Sequence, residues 1–286
     1  MPIKLYFRPT SLKETFHLLT SYSGSAKILA GGTDLLIQQA QDSSPEIVAI
    51  SLRDIEDLRQ IKKTANGDIL IGAMTRHAEV AQSALVNQCL PALAKASHWV
   101  GSPSIRNLAT IGGNICNASP SADTAPPLLA YDAKAIIVSS SDEKAINIGD
   151  FFTGPSVNIL KTGEVLKGFM LTPEPGWIAS YEKLGVRKAM EIAIVNVCVA
   201  TAIDKNRNCS GIRIALGAVA PTPIRAKKAE AILQDKRLTS ELIEKCAEAA
   251  VKETRPISDI RASADYRKEM VRFLVRKMIS DLARIG

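Results

Sequence analysis

Two glycine pairs are the residues of this chain best suited to hold a ligand. One lies in Ala30–Asp34 (Ala-Gly-Gly-Thr-Asp) and the other in Thr110–Asn114 (Thr-Ile-Gly-Gly-Asn), about 80 residues apart. Each follows a short apolar stretch that we predict to be a strand. Glycine permits positive φ and leaves main-chain N–H groups open to a close ligand, and successive N–H groups in such a turn suit a phosphate oxygen. Two such turns predict one long ligand held from both ends, as a dinucleotide would be.

The second pair lies in a long segment of small polar residues, between Gly101 and Pro127. Long irregular segments inside compact domains are usually functional, and these residues suit hydrogen bonding around a polar ligand. Two interpretations stay open for Arg106, which would either neutralise a pyrophosphate or form a structural ion pair. Asp123 would either contact the ligand or cap a helix.

The motifs of several enzyme classes are absent from the sequence. There is no G-x-G-x-x-G, no G-x-x-x-x-G-K-[ST] and no G-x-S-x-G, which argues against a Rossmann site, a P-loop ATPase and a serine hydrolase. No two of the five cysteines are closer than 11 residues, so zinc, thioredoxin and ferredoxin spacings are excluded. With three scattered histidines, the sequence predicts no metal site and no catalytic side-chain cluster in this chain.

Composition and charge predict an ordinary soluble protein of two domains. The chain has 286 residues, 46% apolar and 23% charged, and no apolar run approaches the ~18 residues of a spanning helix. No secretory signal is visible and the odd cysteine count favours reduced thiols, so we expect a cytoplasmic location. Residues 225–286 carry 15 Lys and Arg against 10 Asp and Glu, or +5 of the net +7. This excess fits a solvated helical face or an acidic partner subunit, and not nucleic acid.

The first half of the chain predicts a β-α-β-α-β unit over about residues 1–57 and a second part over 58–176. Ser11 and Glu14 form a capping box that opens a helix. After the strand Lys27–Ala30, either Thr33 or Asp34 is expected to cap the next helix. The further predicted elements are the helices Leu35–Gln41, Ala78–Leu85 and Pro91–Ser97 and the strands Glu46–Ile50, Asp68–Ala73, Ala133–Ser139 and Val165–Leu171.

A domain boundary is predicted at Pro173–Gly176. The part from 177 to 286 then shows strand patterns followed by helix patterns, which indicates an α+β domain. The predicted strands are Ile178–Leu184, Ile192–Ile203 and Gly211–Val219, and the predicted helices are Arg225–Leu233, Ser240–Glu253 and Ala264–Arg284.

These residues resemble the FAD-binding subunit of the molybdenum hydroxylases, the group that includes xanthine dehydrogenase and the medium subunit of carbon monoxide dehydrogenase. That family's A-G-G-[TH]-[DS]-L and T-I-G-G-[ND] signatures appear here as Ala30–Leu35 and Thr110–Asn114, and Gly101–Asn107 and Leu216–Arg225 also match. The pattern is most similar to the separate FAD subunit of bacterial xanthine dehydrogenases.

The resemblance implies a vanillyl-alcohol-oxidase/PCMH-type FAD-binding fold of two α/β subdomains, followed by an α+β flavoprotein C-terminal domain. It also implies that both glycine turns wrap the pyrophosphate and adjoining parts of FAD. Asp123, Leu166 and Lys183 would lie nearer the flavin, and Val100 replaces an aromatic found in many relatives. The implied FAD-binding residues are Lys27, Ile28, Leu29, Ala30, Gly31, Gly32, Thr33, Asp34, Val100, Thr110, Ile111, Gly112, Gly113, Asn114, Asp123, Leu166 and Lys183.

The implied function is electron transfer inside a multi-subunit oxidoreductase. A molybdopterin-binding large subunit and a small subunit with 2Fe–2S clusters would be the partners, and NAD⁺ or another acceptor would take the electrons. The complex would act on xanthine, or on an aldehyde, nicotinate or carbon monoxide. Two hypotheses of other classes remain, a stand-alone flavin oxidase and an assembly module whose glycine turns are structural only.

Overall fold

The computed structural model describes residues 3–41, 45–187 and 190–284, and its first part is a three-stranded parallel sheet with two helices. The strands, in the order β1-β3-β2, and the helices are β1 (Ile3–Phe7), β2 (Ala26–Leu29), β3 (Ile47–Ser51), α1 (Leu12–Ser21) and α2 (Leu35–Gln39). Ser11 caps α1 as predicted, because its side chain accepts a hydrogen bond from the Glu14 N–H at 3.2 Å. The Glu14 carboxylate reaches back and accepts from the Thr10 N–H at 2.9 Å.

The second part is built on a five-stranded antiparallel sheet, in the order β4-β5-β10-β6-β7. Its strands are β4 (Ile61–Lys63), β5 (Ile69–Gly72), β6 (Lys134–Val138), β7 (Glu143–Asn147) and β10 (Val165–Leu171), with a separate pair β8 (Phe152–Gly154) and β9 (Val157–Asn158). Its helices are α3 (His77–Gln82), α4 (Ala84–Cys89), α5 (Pro91–His98), α6 (Pro103–Arg106), α7 (Ile111–Cys116) and α8 (Ala125–Ala130). Buried aliphatic side chains of α3, α4, α5, α7 and α8 and of β5, β6 and β10 form one continuous core.

The third part is an antiparallel sheet buried on both faces. Its elements are β11 (Trp177–Leu184), β12 (Val195–Ile203), β13 (Asn208–Gly217), β14 (Ile224–Arg225), β15 (Lys236–Arg237), α9 (Lys227–Leu233), α10 (Ser240–Lys252) and α11 (Ala264–Leu282). Alternate residues of β12 and β13 pack against α9, α10 and α11. The opposite face, which carries Tyr181, Cys198 and Ala215, belongs to the core of the second part, next to α5 and α8.

Two predictions about local structure were wrong. Ala78–Leu85 is two helices, because Ser83 has an extended backbone and its hydroxyl caps α4 by accepting from the Val86 N–H at 3.3 Å. The segment between Gly101 and Pro127 is not irregular, since it contains α6, α7 and the start of α8. The second glycine pair therefore opens a helix and does not follow a strand.

Candidate cofactor-binding cleft

A cleft of about 520 Å³ lies between the first and second parts of the fold. That volume is within the usual range for small-molecule sites. The loop after β2, the residues after β5, the start of α7 and β10 form its walls. Of the residues implied by the resemblance, the cleft brings together Ile28, Ala30, Gly31, Gly32, Thr33, Asp34, Val100, Thr110, Gly112, Gly113, Asn114 and Leu166.

Five of the implied residues do not border the cleft. Lys27 is exposed on β2, Leu29 is buried, and Ile111 is fully buried in the core of the second part. Asp123 and Lys183 are also buried, as a pair with each other. Their implied contact with the flavin stays a prediction.

The first glycine turn has the geometry expected of an anion site. Gly32 has a φ of +77°, in the left-handed region that glycine adopts without strain. Gly31 serves a different need, since a Cβ there would lie 2.2 Å from the Leu108 carbonyl oxygen. Across the described residues, nothing accepts a hydrogen bond from the N–H groups of Gly31, Gly32 or Thr33. Three successive unpaired N–H groups on a cleft wall suit an anionic oxygen.

Asp34 was expected to be a candidate helix cap, and the structure shows that its side chain makes no cap hydrogen bond. It stands before α2 but has a helical backbone (φ −109°, ψ −52°), and a capping side chain usually needs an extended one. Its exposed carboxylate instead accepts hydrogen bonds from the Asn117 amide and the Thr33 hydroxyl, both at 3.4 Å. This arrangement holds the first turn against the end of α7.

The second glycine pair does not offer open N–H groups, which corrects the prediction of two equivalent turns. Thr110 has an extended backbone and caps α7 through its hydroxyl, which accepts from the Gly113 N–H at 3.0 Å. The Ile111 N–H donates to the Thr75 carbonyl at 2.9 Å, and the Gly112 N–H donates to the Ala73 carbonyl at 2.8 Å. The main-chain donors of this segment are therefore used to join it to the loop after β5.

The two glycines of the second pair have different roles. A Cβ on Gly112 would lie 2.5 Å from the Ala73 Cβ and 2.6 Å from the Ala73 oxygen, so glycine allows the two segments to approach. A Cβ on Gly113 would meet only the Thr110 hydroxyl at 3.0 Å and the Ala30 Cβ at 3.5 Å. Gly113 therefore lies on the cleft with no backbone atom close to its added Cβ, although the Thr110 hydroxyl would have to shift slightly, and Gly112 is a packing residue.

This difference predicts that alanine is more destabilising at Gly112 than at Gly113. We expect Gly112→Ala to lower the free energy of unfolding by about 1–3 kcal/mol, through overpacking against Ala73. Gly113→Ala should leave it within about 1 kcal/mol of wild type, because alanine is the better helix former. Urea unfolding of the FAD-free chain measures both values, and equal stabilities of the two variants would contradict the packing role of Gly112.

Within the described residues, Arg106 does not form the structural ion pair that was one of its two interpretations, and neutralisation of a pyrophosphate by Arg106 stays a prediction. Its guanidinium donates to the carbonyl oxygens of Val100 and Gly101, at 3.0 and 3.4 Å, and no described acidic group pairs with it within 4.0 Å. These bonds fix the backbone that presents Val100 to the cleft. Arg106 is thus a structural support of the wall.

Asp123 and Lys183 form a buried ion pair where the second and third parts meet. The Lys183 ammonium donates to Asp123 Oδ2 at 2.8 Å and to the Trp99 carbonyl at 3.3 Å, with 1% of its side chain exposed. The Tyr181 hydroxyl donates to Asp123 Oδ1 at 2.8 Å, and the Asn196 amide lies 3.4 Å from the same atom. Burial raises the pKa of Asp123, and the Lys183 charge opposes that rise. The pair lies behind the wall residue Val100, whose chain neighbour Trp99 it contacts.

Several residues of the cleft wall are not among the FAD-binding residues that the resemblance implied. They are Leu35, Gln38, Leu52, Ala73, Met74, His77, Ile105, Ala109, Cys116, Asn117, Leu160 and Val165. Most are apolar and read in sequence as ordinary core residues. Cys116 is a protonated thiol at neutral pH, because burial raises its pKa to about 12.

The described part of the chain contains neither a metal-binding group nor a membrane-spanning helix. Over residues 3–41, 45–187 and 190–284, no three His, Cys, Asp or Glu side chains come together as a metal-binding group. In the same ranges, every helix is too short or too polar to cross a bilayer.

The fold and the cleft define a nucleotide-cofactor-binding protein in which an α/β part holds the ligand and an α+β part packs against it. Residues 1–173 match the family described as the FAD binding domain in molybdopterin dehydrogenase. Residues 179–282 match the CO dehydrogenase flavoprotein C-terminal domain. The chain therefore belongs to the FAD-binding oxidoreductase subunits of the molybdenum hydroxylase family, and the resemblance found in the sequence is confirmed.

Individual relatives match over nearly their whole length. The xanthine dehydrogenase FAD-binding subunit of Escherichia coli O157:H7 is 34% identical over 278 residues, covering 96% of this chain and 94% of that protein. The glyceraldehyde dehydrogenase medium chain of Sulfolobus acidocaldarius is 30% identical over 279 residues, covering 97% and 98%. A chain of carbon monoxide dehydrogenase from Hydrogenophaga pseudoflava matches with a TM-score of 0.93 and 32% identity, covering 98% and 96%. The predicted fold class is confirmed.

FAD is the cofactor of this family, and the cleft fits it. The unpaired N–H groups of the first turn are suited to the diphosphate. Val100 and Leu166 are buried apolar wall residues, suited to a flat ring. Gly113 borders the cleft and has no side chain, so a ligand can pass close to its main chain.

Proposed function

We propose that this chain passes electrons from 2Fe–2S clusters of a partner subunit to NAD⁺ or another acceptor. The complex would be similar to xanthine dehydrogenase, with a molybdopterin-binding large subunit. The names of the relatives support this assignment. Because those relatives include dehydrogenases of glyceraldehyde, nicotinate and carbon monoxide, an aldehyde, nicotinate or carbon monoxide is an alternative substrate. We further propose a cytoplasmic location, since all five cysteines are free.

The observation that carries the proposal is the chemistry of the cleft wall. Its titratable side chains in the described ranges are Asp34, His77 and Cys116. Asp34 is exposed and hydrogen-bonded, and the Cys116 thiol is protonated. Neither is paired with a base as a nucleophile would be. Bound FAD supplies the redox chemistry by accepting electrons singly and releasing them as a pair, and the chain binds and orients it.

The first turn is proposed to hold the FAD pyrophosphate. The N–H groups of Gly31, Gly32 and Thr33 would donate to phosphate oxygens, while Val100 and Leu166 would exclude water from the flat rings. The Asp123–Lys183 pair would act on the cleft indirectly, by holding the Trp99 carbonyl. From the resemblance, contact of Asp123 and Lys183 with the flavin is also proposed.

Purification of the native complex through a tag on this chain tests the proposed function. We expect the purified material to be yellow and to contain FAD, molybdenum and iron, and addition of xanthine should bleach the flavin. Bleaching by an aldehyde, nicotinate or carbon monoxide instead would select one of the alternatives. A metal-free chain whose flavin is bleached by a substrate would overturn the proposal in favour of a stand-alone oxidase.

A further inference from the structure

His77 is a buried polar side chain of the cleft wall that the described residues leave without a hydrogen-bond partner. It is 0% exposed, and neither Nδ1 nor Nε2 has a partner in the structure. Its main-chain N–H donates to the Ala109 carbonyl at 3.0 Å, which holds it beside the second glycine pair. A buried polar group that makes no hydrogen bond is destabilising by about 1–3 kcal/mol, so a ligand group or water is expected to complete it.

The imidazole is uncharged at neutral pH. Burial lowers its pKa to about 4, and the nearby positive charge of Arg106 acts in the same direction. A neutral imidazole has one N–H donor and one acceptor nitrogen. It can therefore bond a carbonyl, a ring nitrogen or a hydroxyl without adding a charge to the site.

Other buried polar groups without partners are distinguished from His77 by their position. Thr75 and Ser97 each have an unpartnered hydroxyl, and neither borders the cleft. His77 does border it, as do the apolar side chains of Val100 and Ile105, which offer no hydrogen bond. Because His77 borders the cleft, a ligand that fills the cleft is a nearby source of a hydrogen-bond partner for it.

We propose that His77 is an FAD-binding residue whose neutral imidazole makes a hydrogen bond to a polar group of the cofactor. This inference rests on FAD occupying the cleft. In this proposal, His77 binds the cofactor and takes no part in electron transfer. The bond adds affinity and fixes the position of FAD against the Val100 side of the wall.

The His77→Leu variant tests the proposal, because leucine is similar in volume and has no polar atoms. The FAD-free variant should unfold at the same urea concentration as wild type or a higher one, since two unpartnered buried nitrogens are removed. Its dissociation constant for FAD should rise about tenfold, as expected for one lost hydrogen bond. Quenching of flavin fluorescence on adding FAD to the FAD-free full chain measures that constant.

Two further variants control the comparison. His77→Gln keeps a donor and an acceptor and should bind FAD more tightly than His77→Leu. Ser97→Ala removes a buried unpartnered hydroxyl away from the cleft and should leave FAD affinity unchanged. Wild-type affinity in a folded His77→Leu chain would overturn the proposal, and so would an equal loss in Ser97→Ala. Failure of the wild-type chain to bind FAD would instead count against the occupant of the cleft.

Nitrogen-15 spectra of the imidazoles give a second measurement that needs no variant at His77. The chain has three histidines, so each ring can be assigned by replacing His17 and His98, which are both exposed. Addition of FAD should shift the ring nitrogens of His77 and leave those of His17 in place. Unchanged His77 nitrogens in the FAD-bound chain would contradict the hydrogen bond.

Discussion

The Lys183→Met variant is expected to lose about 3–5 kcal/mol of its free energy of unfolding, the usual effect of removing one partner of a buried ion pair. Lys183 has 1% of its side chain exposed and bonds Asp123 Oδ2 at 2.8 Å. Methionine fills similar space without charge. The Asp123 carboxylate would then stay buried with only Tyr181 and Asn196 as partners. Urea unfolding of the FAD-free chain at neutral pH measures the loss.

The loss should depend on pH in a definite direction. Burial already raises the pKa of Asp123, and without Lys183 the rise should be larger. A carboxyl group whose folded pKa lies above its unfolded pKa binds its proton more tightly when folded, so stability increases as pH falls. Lys183→Met should therefore recover part of its loss between about pH 7 and about pH 5.

Two variants separate the charge effect from simple packing. Lys95 of α5 pairs at 2.9 Å with Glu182, the neighbour of Lys183 on β11, but both side chains are partly exposed. Lys95→Met should therefore lose less than about 1 kcal/mol. Adding Asp123→Asn to Lys183→Met removes the orphaned charge and should restore part of the stability. A pH-independent loss that Asp123→Asn does not relieve would contradict a role for the buried charge.

The elements that the sequence predicted well have strong hydrophobic patterns and long apolar faces. The strand Val165–Leu171 has the predicted bounds, and the predicted helix Ser240–Glu253 is one residue longer than the observed α10. The missed strand Glu143–Asn147 alternates exposed and half-buried residues at the sheet edge, so its apolar signal is weak. The break at Ser83 was missed because the apolar pattern continues through this residue. The helical backbone conformation is interrupted there, since Ser83 is extended.

The candidate site was predictable in outline and not in its chemistry. Glycine pairs indicate close approach of main chain, and both pairs do border one cleft. Which N–H groups remain free depends on the carbonyls of Ala73 and Thr75, from a segment almost 40 residues away. The Asp123–Lys183 pair likewise depends on how β11 meets the segment before α8, which a single sequence does not encode locally. Contacts made by distant segments are the part that the sequence left open.

Gly32→Val is expected to weaken FAD binding by about 100-fold or more. At a φ of +77° a β-branched residue is strained, so the turn should change its backbone and move the N–H groups of Gly31, Gly32 and Thr33. Loss of two hydrogen bonds to a charged phosphate, at about 1.5 kcal/mol each, corresponds to about 100-fold in the dissociation constant. Flavin fluorescence titration of the FAD-free chain measures the change.

The chain provides a matched control for the backbone strain. Gly24 has a φ of +91°, and a Cβ there would meet nothing within 4 Å. Gly24→Val therefore introduces similar strain outside the cleft, and it should reduce stability without changing FAD affinity. At Gly32 the nearest atoms to an added Cβ belong to the flexible Leu36 side chain, at 3.0 Å, so crowding is a minor part of the effect. If the two variants bound FAD equally well, the first glycine turn would not be the phosphate site, and the unpaired N–H groups would have no ligand to explain them.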